Sequence, residues 1–321
     1  MVQLNNILIY LDGEFDLAVL ERGIHIAKVY NSKITVVNVV ESYRSHALLS
    51  KPDIDIGALE LQLVKNRKQQ LLTAVKSINH QEIKISTDVL LGDPAISIIK
   101  LVQSQGIDLL IKASAPEYGL RNKIFGGIDV RLMRACPCPV EIEPRKIAGT
   151  NTRAVVAFAY DGNDESQVRL NDRILDLALL AMSGTRPEIY IVHAWTLYGY
   201  SILAHGRGKI PSDRLNEMVR KEHSKRQEWL ENRMNRFRAT LDKEQADKFN
   251  PTIELFEGKP ETVIPQRVDE LGADLLGIGT ASRSGLKGLL IGNTAEEILH
   301  RINCAVVVIK PEGFVCPLPG N

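Results

Sequence analysis

The 321-residue chain is written twice. "GDPAISII" at 92–99 is answered by "GKPETVIP" at 258–265, an offset of 166 (258 − 92). Without a gap, the same offset pairs Pro94 with Pro260, Asp108-Leu109-Leu110 with Asp274-Leu275-Leu276, and Ala115 with Ala281. It also pairs Gly119-Leu120 with Gly285-Leu286, Gly126 with Gly292, Cys138 with Cys304 and Val140 with Val306. Chance does not hold register through glycines, a proline and a cysteine, so the chain is a tandem of one supersecondary plan. A chain of this length also exceeds one compact core, and two units of about 150 residues are expected.

Each half alternates short apolar, β-rich runs with segments of helical period. In the first half "NILIYL", "KITVVNVV", "IKISTDVL", "DLLIKA" and "PVEIE" read as strands. Helices are expected at "DLAVLERGIHIAKVY", around 57–78, around 95–105 and near 128–135. The second half repeats the order with "AVVAFA", "EIYIVHAW", "TIELFE", "ADLLGIG" and "AVVVIK". Its helices are expected at 166–182, in a long segment over 212–246, at 261–271 and at 294–302. Near-continuous apolar strands separated by helices imply a parallel sheet covered on both faces, an α/β class. The Pro-, Gly- and polar-rich stretch 144–153 is the expected junction. It gives one domain over 1–146, a second over 152–311, and a C-terminal tail, 312–321. The segment 212–246 is the most charged. Its interspersed acids and bases favour an amphipathic helix lying across its own sheet, the alternative being a helix for a partner or a membrane surface.

Composition narrows the function. Forty basic and 39 acidic side chains leave a net charge of +1, so no field favours nucleic acid or an anionic membrane. No apolar run approaches the roughly 20 residues of a membrane span. "MVQLNNILIYLDGEFD" is unlike a signal peptide, and a cytoplasmic location is expected. The four cysteines include Cys136 and Cys138 in "CPCP", but the seven histidines are scattered. Buried, idle thiols are the expectation and a metal or redox site the alternative. No metal site and no catalytic residue is assigned.

The loop "GTASRSGLKGLLIGNTAEEIL", 279–299, joins a strand to a helix. Gly279 would let the backbone approach a ligand, and Gly292 precedes the amides of Asn293, Thr294 and Ala295 at a positive helix end. The alternative is that Asn293 or Thr294 simply caps that helix, with Glu296 or Glu297 closing a capping box. The lysine and hydroxyl of a P-loop are absent.

Gly279, Ser282, Gly292 and Asn293, with "ILIYLDG", "GDPAISII", "DLLIKAS" and "CAVVVIKP", resemble the universal stress protein family. The doubled layout and "IGNTAEEI" are similar to its tandem, E-type members. The resemblance implies two doubly wound parallel sheets of order 3-2-1-4-5 and a non-enzymatic stress-response protein. It implies ATP or AMP, or no ligand at all, at residues Ala194, Ile278, Gly279, Ser282, Gly292, Asn293 and Thr294. It departs in three places: Ser282 stands for a glycine, Ala159 for the aspartate after the first strand with Asp161 two residues on, and Asn293 for a serine or threonine. His193 and Ala194 take the adenine-facing strand end. In the first half Asp12 fits the aspartate, but Ala113 and Pro116 replace glycines and Gly126 is followed by Gly127, leaving a degenerate site of Asp12, Lys112 and Gly126. A ligand-free scaffold, and an enzyme cleaving a phosphate bond with Asp161, Arg283 and Lys287, are the alternatives.

Two structural expectations follow from the resemblance. The last strands of the halves, "PVEIE" and "AVVVIK", should meet edge to edge as an internal pseudo-dimer, and a further homodimer remains open. Lys112, where the repeat has Ile278, should reach Asp12 in the inferred strand order, or else extend to water.

Overall fold

The computed structural model describes residues 3–13, 15–42, 55–78, 80, 83–114, 125, 127–144, 152–162, 164–182, 187–206, 210–280 and 292–318. The first half runs β1 Asn6–Tyr10, α1 Leu17–Tyr30, β2 Lys33–Val40, α2 Ile56–Lys76, β3 Ile85–Leu91, α3 Pro94–Gln105, β4 Leu109–Ala113, α4 Gly127–Ala135 and β5 Val140–Glu143. The second runs β6 Arg153–Ala157, α5 Glu165–Ala181, β7 Glu188–Trp195, α6 Tyr200–His205, α7 Ser212–Arg238, α8 Lys243–Lys248, β8 Thr252–Glu257, α9 Pro260–Leu271, β9 Leu275–Gly279, α10 Asn293–Leu299 and β10 Ala305–Ile309.

All ten strands form one sheet of order β3-β2-β1-β4-β5-β10-β9-β6-β7-β8. Each half has the expected 3-2-1-4-5 order, the second reversed across the seam. The seam is the only antiparallel pairing among the described strands: Val306 faces Ile142, Val307 faces Glu141 and Val308 faces Val140. The expected internal pseudo-dimer is thus present, and it hides two sheet edges in one chain. Two apolar clusters, one per sheet face, each run through both halves. Arg134 of α4 also pairs with Glu296 of α10 across the seam, and Lys310 donates to the Met133 carbonyl.

The repeated sequence motifs have local physical causes. Asp108 Oδ2 accepts the amides of Asn5 and Asn6 at 2.8 and 2.9 Å; Asp274 Oδ2 accepts those of Thr152 and Arg153 at 2.9 and 3.0 Å. The paired aspartates therefore tie the amino ends of β1 and β6. Gly92 and Gly258 turn the chain at φ 142° and 157°, where a side chain would be strained, and donate back to Val40 and Trp195.

The long charged helix differs from expectation, while α9 and α10 form at the expected places with details the sequence left open. The long charged helix stops at Arg238, and a new one starts at Asp242, whose carboxylate and Gln245 form a capping box. α9 keeps Pro265 in its interior, which frees the Glu261 carbonyl; Arg301 Nη1 donates to it at 3.1 Å. α10 is capped by Gly292 with no side-chain bond, so the expected Asn293 or Thr294 cap with its capping box is not formed. The expected junction falls mainly on 145–151, outside the described residues.

Candidate functional site

In such a sheet the strand order reverses between the first and fourth strands of each unit, and the crevice beyond their carboxyl ends is where ligands sit. Here that means β1/β4 and β6/β9. The two crevices are built differently.

Beyond β1 and β4, the crevice holds an ion cluster. Lys112 is fully buried on β4, next to Tyr10 of β1. Its ammonium lies 3.5 Å from Asp12 Oδ2, as expected. Its closest carboxylate is Asp129 on α4, also fully buried, and it donates to the Ala113 carbonyl as well. The Tyr10 ring lies 5.8 Å away. Burial first, then the Asp12 charge, pushes the Tyr10 hydroxyl above its ordinary range. Asp129 was not singled out from the sequence, although the repeat carried the signal. At the offset of 166 it stands opposite Ala295, as Lys112 stands opposite Ile278. In the second half that pair is apolar and buried in the core. Gly126 lies outside the described residues.

Beyond β6 and β9 the charges are arranged around aromatic rings. Ala159 is exposed where the aspartate was sought, and Asp161 is buried. Asp161 Oδ2 accepts the Trp229 indole N–H at 2.8 Å and faces Arg233 Nε at 3.9 Å. Both partners come from α7, which crosses the strand ends as the amphipathic reading expected. His193 Nδ1 lies 2.9 Å from the Phe158 carbonyl and Nε2 3.0 Å from Arg226 Nη1. The proton therefore belongs on Nδ1, and Nε2 accepts from the guanidinium. Arg226 also binds Glu222 at 2.7 Å and lies 4.2 Å above the Tyr160 ring. Nothing in the sequence pattern pointed to these contacts.

Ala194 and Ile278 are buried. Gly279 closes β9, and a Cβ there would approach Leu170 and Ile174 of α5 to 2.9 and 3.0 Å. Close helix–sheet packing thus already favours glycine at 279, since a side chain there would have to displace the ends of Leu170 and Ile174. Gly292 is half-buried and Asn293 and Thr294 are exposed at the start of α10, whose first amides have no side-chain cap. Ser282, Arg283 and Lys287 lie outside the described residues. The indole N–H of Trp195, at the end of β7 and 3% exposed, has no hydrogen-bond partner among the described residues. No group of three or more metal-ligating side chains occurs among the described residues, and none of their helices is long and apolar enough to cross a membrane.

The sequence matches the universal stress protein family twice, over residues 4–142 and 153–310, and the chain belongs to that family. Its tandem layout is shared by the universal stress protein E of Photorhabdus laumondii, 28% identical over 99% of this chain and 98% of that one. The universal stress protein E of Escherichia coli K12 is 25% identical over the same shares. Among solved structures, a functionally unknown protein from Pseudomonas aeruginosa PAO1 aligns with a TM-score of 0.65 at 23% identity, covering 97% of this chain and 94% of that one. A universal stress protein from Archaeoglobus fulgidus aligns at 0.55 and 18%, covering 95% and 96%. These likenesses are of fold.

Proposed function

We propose that this chain is a non-enzymatic, cytoplasmic stress-response protein, divided into domains at 1–146 and 152–311 with a tail at 312–321. One small ligand, an adenine nucleotide such as ATP or AMP, binds in the second half only. The supporting observation is the contrast between the crevices. In the first, Lys112, Asp12 and Asp129 occupy the ends of the central strands. In the second, the first amides of α10 take no side-chain cap among the described residues, and at the end of the neighbouring β7 the buried Trp195 indole N–H has no partner among them. Phosphates would face the amides of 292–294, with Gly279 and Ser282 beside them and Ala194 and Ile278 lining the base side.

Calorimetry with ATP and AMP tests this. The wild type should bind one equivalent, and Gly292→Asp should lose binding at least tenfold, because a carboxylate enters the anion site. Binding that survives Gly292→Asp places the ligand elsewhere. A second reading is a ligand-free scaffold. It is favoured by Arg226 and Trp229, which already occupy hydrogen-bonding positions at the ends of β6 and β7. A wild type that binds no nucleotide selects it.

A further inference from the structure

The cysteines of "CPCP" meet in the fold. The chain leaves α4, bends at Pro137 and Cys138, and enters seam strand β5. A straight strand would point residues two apart in one direction while spacing them along its axis. The bend instead turns the two side chains toward each other, and Cys136 Sγ lies 3.5 Å from Cys138 Sγ. Both are buried, at 0% and 6% exposure. Lys310, at the end of β10, is buried within electrostatic reach of Cys136 and donates to the Met133 carbonyl. The tail packs its half-buried Cys316 and Leu318 against the same apolar cluster.

We propose that Cys136 and Cys138 are a dithiol modification site that a hydroperoxide converts reversibly to an intramolecular disulfide. Cys136 Sγ attacks the peroxide O–O bond and its thiol proton passes to the leaving oxygen; the S–O bond forms, the O–O bond breaks, and that oxygen departs as water or an alcohol. The resulting sulfenic acid is attacked by the Cys138 thiol. The S–S bond forms as the S–O bond breaks, and a second water leaves. Two thiols have been oxidised by two electrons and the peroxide reduced by two. Burial first, and Cys136 second, push the Cys138 thiol well above its ordinary range. Closing the bond brings the sulfurs from 3.5 Å to about 2 Å. That movement falls between the end of α4 and the first residue of the seam strand.

The test is peptide mass spectrometry on the whole protein after hydrogen peroxide, alkylation and trypsin. The fragment Ala135–Arg145 holds both cysteines and no others. It should appear lighter by two hydrogens and unalkylated, and a reductant should return it to the doubly alkylated form. In Cys138→Ser and Cys138→Ala, each checked for native circular dichroism, Cys136 should stop as a sulfenic acid that a 1,3-diketone traps. Cys316→Ser should leave the result unchanged. Full alkylation of both cysteines after peroxide, or a disulfide that requires Cys316, overturns the proposal.

Discussion

The two halves share strand order, clamp aspartates and turn glycines, yet they differ in the polarity of what they bury. Lys112 and Asp129 stand in the first half where the second has Ile278 and Ala295. A second exchange lies nearer the seam. Counted from the N-caps Asp16 and Asp164, Arg22 answers Leu170; at the offset of 166, Glu141 answers Val307. Arg22 Nε binds Glu141 Oε1 at 2.8 Å, with Glu143 at 3.7 Å, whereas Leu170 and Val307 share an apolar cluster. Twice, then, an apolar pair in one half is an ion pair in the other. A buried ion pair rarely adds net stability over an apolar pair, but half of one is costly. The members of such a pair must therefore change together, and each departure from the repeat should have a partner that departs with it.

The largest expected effect follows directly. Asp129→Ala leaves the fully buried Lys112 ammonium with the Ala113 carbonyl and the Asp12 carboxylate 3.5 Å away, and should cost about 3–5 kcal/mol in urea unfolding. The double change Lys112→Ile with Asp129→Ala imports the second half's own pair and should recover most of that loss. If the double variant is no more stable than Asp129→Ala, the repeat equivalence of the two sites is wrong.

A middle-sized effect tests the seam. Lys310 is the buried lysine of β10, and burial lowers its ammonium to about 8 from an ordinary 10.5. Between those values the unfolded chain binds more protons than the folded one, so this group's contribution makes stability rise with pH from about 8 toward 10.5. Below about 8 the folded state carries the full penalty of a buried charge. Cys304, raised by burial to about 12, acts oppositely above its ordinary 9, so the test compares variants rather than absolute slopes. Lys310→Met should be more stable than wild type at neutral pH by about 2–3 kcal/mol. The advantage should shrink as pH rises toward 10.5. A difference that stays constant with pH would show that Lys310 is not the titrating group.

The architecture was legible because a repeat reports on topology twice. The repeat showed that one plan occurs twice; the strand order and the edge-to-edge seam came from the family resemblance, and the Lys112–Asp12 contact follows from that order. Asp129 was legible in principle, because it breaks the repeat as Lys112 does, but it sits 17 residues on, in the next helix. The aromatic cluster under α7 was not. The segment carrying α7 takes the place of α2 but lies outside the run matched at the offset of 166, and which of its faces meets His193 and Asp161 depends on where the helix crosses the sheet, a long-range packing result. Gly279 was readable as a ligand approach and as a packing requirement alike. The positions of Leu170 and Ile174 supply the packing reason, which the sequence alone did not show.

The smallest expected effect concerns the helices that follow Gly92 and Gly258. α3 is capped by Asp93, whose Oδ1 accepts the Ile96 amide at 2.9 Å, and the same carboxylate takes a two-pronged bond from Arg131 of α4. These bonds, that of Arg131 foremost, hold the Asp93 carboxyl below its ordinary range. α9 has Lys259 at the equivalent place, with no side-chain cap. A lysine there also sets a positive charge against the positive end of the helix. Asp93→Ala should cost about 1 kcal/mol, and Lys259→Asp should gain about 0.5–1 kcal/mol by supplying the missing acceptor. The gain should persist in high salt if it comes from the hydrogen bond, and fall if it comes from removing the misplaced charge. If Lys259→Asp destabilises the chain, then the lysine is held by something the repeat does not share, and the two turns are equivalent in backbone only.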